Sequence, residues 1–248
     1  NMLLDRPTDI AADDIPSLRF MTCSTAPLSP ERWHQFEAAF GIRLLQQYGS
    51  SEAGWVCANR VDRMRMGTVG PPAKHQEFDI VDADGNPCPR GVEGEVTVGG
   101  PQTYMATITP EGQWEYPPER IRHGDLAVMD DDGFVTVTGR VKDLIIRGGL
   151  NISPLEIDHV LAQLPGIAEA AAVGVPDPIY GEEVICYVVA KDGSGLTETA
   201  VTAHCAKTLP DYKMPKGVRF TDAIPRNDRG KVRREALKEK WLAEEGGE

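Results

Sequence analysis

The sequence predicts a chain of two parts: an α/β segment running into antiparallel β structure, then a small α+β domain. Three observations carry this. Extended runs flank a capped helical stretch over residues 17–52; short runs of period two alternate with Asp-Gly turns over 67–139; and from Gly139 helical and extended patterns alternate while the charge balance shifts. The 248 residues allow one large domain or two ordinary ones, and the boundary is expected between 1–139 and 140–248. Residues 1–139 hold 11 Lys and Arg against 21 Asp and Glu, a net of −10, whereas 140–248 hold 15 against 17, a net of −2.

The elements follow in chain order. Residues 17–25 read as extended. Ser29-Pro30-Glu31 is a helix start, with a cap hydroxyl followed by proline at the first helical position. Trp33, Phe36, Ala39 and Phe40 then recur at helical spacing until Gly41 stops the helix. Ile42 to Gln47 reads as a strand that ends in the loop Tyr48-Gly49-Ser50-Ser51-Glu52. Strands at Phe78–Val81, Gly94–Val98, Leu126–Met129 and Phe134–Val137 are separated by turns such as Asp82-Ala83-Asp84-Gly85 and Asp130-Asp131-Asp132-Gly133, which predicts a small barrel or distorted antiparallel sheet. In the last part Ser153-Pro154-Leu155-Glu156 is a capping box, and Ile157, Val160, Leu161 and Leu164 form the apolar stripe of its helix. Strands at about 168–175 and 183–190, a helix at about 197–208, a strand at about 217–222 and a charged helix from about 233 complete the unit.

Composition narrows the function classes. A net charge of −12 argues against a basic nucleic-acid surface. No run of 18 apolar residues exists, so no membrane span is expected, and the first residues lack the pattern of a secretory signal. Five scattered cysteines without a CxxC pair fit a reducing, cytoplasmic setting rather than a disulfide framework or a zinc site.

Four stretches could carry chemistry. In Tyr48-Gly49-Ser50-Ser51-Glu52, hydroxyls and a carboxylate after a glycine turn suit a nucleotide phosphate and its Mg²⁺, or form an ordinary polar loop. In His123-Gly124-Asp125, an aspartate at a strand start could accept ribose hydroxyls, or be a turn aspartate. The string Gly139 to Ile157 joins a charged cluster, Arg140-Val141-Lys142-Asp143, to Gly148-Gly149 and a capped helix. The stretch Pro225 to Arg234 places Lys231 after Gly230 on a basic loop, suited to an anionic transition state or simply solvated.

Taken in order, these stretches resemble the adenylate-forming superfamily of acyl- and aryl-CoA synthetases, adenylation domains and luciferases, over about Leu18 to Leu237. The resemblance implies an AMP-forming acid–CoA ligase, in which a carboxylic acid attacks the α-phosphate of ATP and CoA then displaces AMP. Ile152-Ser153-Pro154-Leu155-Glu156-Ile157 and Val173-Gly174-Val175-Pro176-Asp177 look more like stand-alone acyl-CoA synthetases than peptide-synthetase modules. A piece that loads a carrier protein, or a non-catalytic piece that completes another chain, stand as alternatives.

The resemblance also implies roles. Ala26 and Pro27, within Ser24 to Leu28, would line the acyl and adenine pockets. Tyr48 would stack on adenine beside Gly49, Ser51 would touch phosphates where the family usually has threonine, and Glu52 would help hold Mg²⁺. Asp125 would bind the ribose hydroxyls with support from Arg140. Lys142 would be the hinge of a mobile small domain, Gly148 and Gly149 would line the CoA tunnel, and Lys231 would bridge the attacking carboxylate and the phosphate. The family's Ser/Thr/Gly-rich phosphate loop does not precede Tyr48, so the chain is expected to be the C-terminal part of a ligase, inactive alone, with a sticky face for a second copy or an N-terminal partner chain.

Overall fold

The computed structural model describes residues 3–4, 10, 12–24 and 28–245. The chain divides into two compact units, Asn1–Val137 and Thr138–Glu248.

The first unit begins with strand β1 (Met21–Cys23), helix α1 (Pro30–Phe40), and strands β2 (Leu44–Ser50) and β3 (Gly54–Ala58). β1 pairs parallel to β2 and β2 antiparallel to β3, so α1 is a crossover between parallel strands. The Ser29 hydroxyl accepts the Arg32 amide at 3.3 Å, and Gly41 ends the helix in the left-handed region at φ 66. The apolar stripe is anchored by Trp33, which packs with Phe36, Ile42 and Leu44. Glu37 accepts from both the Trp33 indole (3.1 Å) and the Leu44 amide (2.9 Å), which fixes the helix against the start of β2.

Next come β4 (Glu77–Val81), β5 (Gly94–Gly99), a small hairpin of β6 (Thr107–Ile108) and β7 (Trp114–Glu115), β8 (Ile121–Met129) and β9 (Val135–Arg140). They form a sheet in the order β4-β5-β8-β9. Bridges between Gly70 and Val135, and between Cys57 and Pro72, carry the pairing from β9 back toward β3, which gives a partly wrapped, barrel-like body. Its core is the inward set Val56, Cys57, Ile80, Val96, Val98, Ala127 and Val135.

The second unit contains β10 (Ile145–Arg147), β11 (Leu150–Ile152), α2 (Pro154–Ala162), β12 (Ile167–Asp177), β13 (Gly181–Ala190), α3 (Glu198–Cys205), β14 (Gly217–Phe220) and α4 (Arg234–Glu245). β13 pairs with β12 along one edge and with β10 and β14 along the other. Its apolar run is explained by burial of both faces. Val184, Cys186 and Val188 meet Ile157, Leu161 and Val201 on one face, while Ile185 and Tyr187 meet Ile224 and Leu237 on the other.

The capping box expected at Ser153 does not form. The Ser153 hydroxyl donates to the Thr138 carbonyl at 2.5 Å, and Glu156 takes the Lys213 ammonium at 2.6 Å, so neither closes the cap. Tertiary partners displaced the local bond, and the strand carrying Thr138 gains a tie to α2 instead.

The outward backbone of edge strand β12 is capped at Ala172 by a largely buried ion pair. Asp158 on α2 accepts the Ala172 amide at 2.7 Å, and Arg234 at the start of α4 donates to Asp158 (2.6 Å) and to the Ala172 carbonyl (2.5 Å). Burial pushes the Asp158 carboxyl up and Arg234 opposes that. Breaking a buried pair on one side leaves a charge without compensation. Arg234→Ala is therefore expected to cost about 3–5 kcal/mol in urea unfolding; a loss no larger than that of an exposed arginine contradicts this account.

Candidate functional site

The strand that the sequence ends at Gln47 continues through Ser50, so Tyr48 and Gly49 stand on β2 rather than in a loop. A register shift between them lets the hairpin close on β3: Tyr48 faces Cys57, while Gly49 faces Trp55. A side chain at Gly49 would place its Cβ 2.1 Å from the Gly54 carbonyl oxygen, so this approach requires glycine. The Ser50 hydroxyl accepts the amides of Glu52 and Ala53, both at 3.2 Å. Ser50 thus serves the turn, and Ser51 and Glu52 are exposed at its tip. Trp55 is exposed beside them, whereas Val56 belongs to the core.

The second motif sits within β8, not at a strand start. Arg122 lies opposite Thr97 and Leu126 opposite Glu95, so residues 123–125 bulge out of register. Gly124 takes the positive φ of 69 that this bulge demands. Glu95 accepts its amide at 3.2 Å and pairs with Arg122 at 2.7 Å, satisfying the group that the ladder abandons.

The bulge brings Asp125 to Tyr48. The Tyr48 hydroxyl donates to Asp125 Oδ2 at 2.7 Å, and His123 Nδ1 lies 3.1 Å from the same hydroxyl. Asp125 is buried. Burial pushes the His123 imidazole down, opposed by Asp125 and Glu52. An aromatic ring bonded to a buried carboxylate, next to an exposed hydroxyl and carboxylate, can hold a base, a ribose and a phosphate in succession. The Glu52 carboxylate at the turn is a hard oxygen donor, which fits Mg²⁺; as a single protein ligand it would leave the rest of the shell to phosphate oxygens and water.

The remaining expected residues lie in the second unit. Arg140 ends β9, and exposed Lys142 is in a 3₁₀ turn over Val141–Asp143. Gly148 and Gly149, at φ 57 and 82, form the two-residue turn of the β10–β11 hairpin. That turn is pinned: the Gly148 amide donates to the Tyr180 carbonyl at 2.7 Å, and Arg147 pairs with buried Glu183 at 2.9 Å. Lys231 leaves a turn closed by Asn227, whose side-chain oxygen accepts the Arg229 and Lys231 amides at 3.0 and 2.9 Å. Arg226 ties the same turn to Glu169 at 2.8 Å. Glu169 is near one end of the β12–β13 hairpin and Gly181, paired with Arg147, is at the other. The Lys231 and Gly148 turns therefore lie on the order of 25 Å apart along it. Ala26 and Pro27 lie outside the described residues.

Residues 1–106 match the model of the AMP-binding enzyme family, and residues 156–231 match that of the AMP-binding enzyme C-terminal domain. The chain belongs to the AMP-binding enzyme family. It is 39% identical over 230 residues to a sulfoacetate–CoA ligase of Cupriavidus necator, covering 88% of this chain and 44% of that protein. It is 34% identical over 249 residues to an oxalate–CoA ligase of Arabidopsis thaliana, covering 97% of this chain and 48% of that one. Among solved structures, ATP-bound MatB from Rhodopseudomonas palustris superposes with a TM-score of 0.86 at 31% identity, over 97% of this chain and 48% of MatB. The fold is thus the mixed α/β end of the large domain and the C-terminal domain of such enzymes. The chain spans about half the length of the curated relatives it matches.

For this AMP-binding enzyme chain, His123 is the member of the cluster to which sequence reasoning gave no role. Its partner Tyr48 lies 75 positions away, on another sheet, so no local pattern marks the pair. Among the described residues, no helix is long and apolar enough to cross a membrane, and no group of three or more His, Cys, Asp or Glu forms a metal cluster. The close approach at Gly49 yields a test. Gly49→Ala should destabilise the first unit by about 1–3 kcal/mol through overpacking, read as a lowered urea midpoint; an unchanged midpoint contradicts it.

Proposed function

We propose that this chain carries the end of the large nucleotide-binding domain, residues 1–139, and the small mobile domain, residues 140–248, of an AMP-forming acid–CoA ligase. The observation that carries the reading is the 2.7 Å bond from Tyr48 to Asp125, which sets an aromatic ring beside a buried carboxylate in a chain of the AMP-binding enzyme family. The ligase names of the sulfoacetate and oxalate relatives support an acid as substrate and CoA as acceptor.

On this reading the acid's carboxylate attacks the α-phosphate of ATP and pyrophosphate leaves. The thiol of CoA then attacks the acyl carbon and AMP leaves. Tyr48 stacks on adenine, with Gly49 giving the backbone room that places the ring. Asp125 accepts ribose hydroxyls, with Arg140 in support. Ser51 donates to phosphate oxygens. Glu52 would hold Mg²⁺, whose chemistry there is neutralisation of phosphate charge. Lys231 draws the carboxylate and the phosphate together, a positioning and charge-neutralising role. Gly148 and Gly149 line the CoA path, and Lys142 is the hinge. Exposed Met105, Ile108, Trp114 and Tyr116 support a face covered by a second copy or an N-terminal partner chain.

Two measurements test this. The complete polypeptide that carries these residues should release AMP only when acid, ATP and CoA are all present; transfer confined to a carrier protein overturns the ligase reading. This chain alone, at about half the length of its relatives, should show only background carboxylate-dependent ATP–pyrophosphate exchange; robust exchange shows that it needs no further polypeptide.

Lys231→Ala in the complete polypeptide should lower adenylate formation about 10²–10³-fold. Thiol transfer from preformed acyl-adenylate should fall far less. Equal losses in both half-reactions contradict the assigned role.

A further inference from the structure

The Tyr48 hydroxyl has a single hydrogen, and both Asp125 and His123 lie within hydrogen-bond reach of it. Asp125 Oδ2 is 2.7 Å away and, as a carboxylate oxygen, can only accept. His123 Nδ1 is 3.1 Å away and can donate or accept according to its tautomer. The shorter, charge-assisted bond claims the hydrogen, so the Tyr48 oxygen must accept from His123. That fixes the imidazole with its proton on Nδ1 and a lone pair on Nε2.

A second observation agrees. Among the described residues, Nε2 of His123 is buried with no hydrogen-bond partner. Either neutral tautomer leaves that nitrogen without a partner, so the observation weighs against the imidazolium, which would bury a charge with an unpaired donor, and the Tyr48 geometry chooses the tautomer. Burial also disfavours the charged ring. The arrangement consistent with both observations is a directional chain, His123 Nδ1–H to Tyr48 Oη–H to Asp125 Oδ2.

We propose that His123 is a positioning residue for nucleotide binding, which acts through Tyr48 by donating to its hydroxyl and so directing that hydroxyl's hydrogen at Asp125. The proposal rests on the reading of Tyr48 and Asp125 as nucleotide-binding residues. Its consequence is that the tyrosine ring and the carboxylate are set in register before a nucleotide arrives. Without the His123 donor, the hydroxyl keeps its bond to Asp125 but loses the restraint on its other side, and the ring that faces the base can tilt. The bulge at Gly124 makes this possible, because it carries His123 and Asp125 on one short segment toward one hydroxyl.

The test uses AMP as probe on the complete polypeptide that carries these residues, with Kd from calorimetry. His123→Ala should raise Kd about five- to tenfold, the loss of one hydrogen bond. His123→Asn, whose side-chain amide can donate from near the Nδ1 position, should restore Kd to within about twofold of the parent, the smaller part of that bond's worth. Tyr48→Phe should weaken binding, and adding His123→Ala to it should change nothing further, since the two act through one hydroxyl. Nitrogen NMR of the imidazole in the unsubstituted protein should show the proton on Nδ1, a readout that does not depend on any variant folding. A parent that fails to bind AMP overturns the nucleotide-site reading and this proposal with it. A parent that binds AMP as tightly as His123→Ala overturns the role of His123 alone. A weak His123→Asn, additive losses with Tyr48→Phe, or a proton on Nε2 overturns the directed chain.

Discussion

The phenol–carboxylate bond between Tyr48 and Asp125 joins two sheets that have no ladder in common at that point. Tyr48 stands on β2 of the sheet built around α1, and Asp125 on β8 of the wrapped antiparallel body. Each strand must depart from regular pairing to make the bond. β2 slips register at Gly49, where only a missing side chain lets the Gly54 carbonyl approach, and β8 bulges at Gly124. These irregularities cost ladder bonds, and polar side chains recover them: Ser50 takes the amides of the turn, and Glu95 takes the amide of the bulge. The site is therefore held by irregular positions whose displaced backbone amides find side-chain acceptors nearby. A buried hydroxyl or carboxylate without a partner would carry a desolvation penalty larger than the bond's net worth.

The second unit solves a different problem. Its long β12–β13 hairpin needs both faces covered and its outer edge closed. Alternation along β13 sends successive side chains into two separate cores, which explains why the strand is apolar throughout rather than on every second position. The edge of β12 is closed by Asp158 and Arg234, which satisfy the outward amide and carbonyl of Ala172 and tie α2, β12 and α4 together in one contact. The hairpin carries a tied turn near each end.

The sequence made legible whatever is decided locally. The Ser29 cap and Gly41 stop delimit α1, and the Asp-Gly turns mark the strands of the antiparallel body. What it hid is decided by distant partners. Tyr48 to Ser50 read as loop because glycine and serine are turn residues, yet pairing with β3 extends the strand through them. Ser153 and Glu156 have the spacing of a capping box, but the Thr138 carbonyl and Lys213 outcompete the cap. Asp125 read as a strand-start residue because nothing in His123-Gly124-Asp125 distinguishes a bulge from a beginning. His123 itself acquires meaning only from a hydroxyl on another sheet.

On the proposed reading, the hairpin sets a geometric requirement on the two half-reactions. The Lys231 turn and the Gly148–Gly149 turn are fastened near opposite ends of β12–β13, on the order of 25 Å apart. A lysine side chain cannot cross that span, and each turn has its own tie to the sheet, Arg226 to Glu169 at one and Arg147 to Glu183 at the other. If both turns serve the same reacting acyl group, the domain must turn as a body between the steps. On that reading a hinge at Lys142 would exchange one end of the hairpin for the other, and the Asp158–Arg234 contact, which ties α2, β12 and α4 together, would help carry the domain as one body.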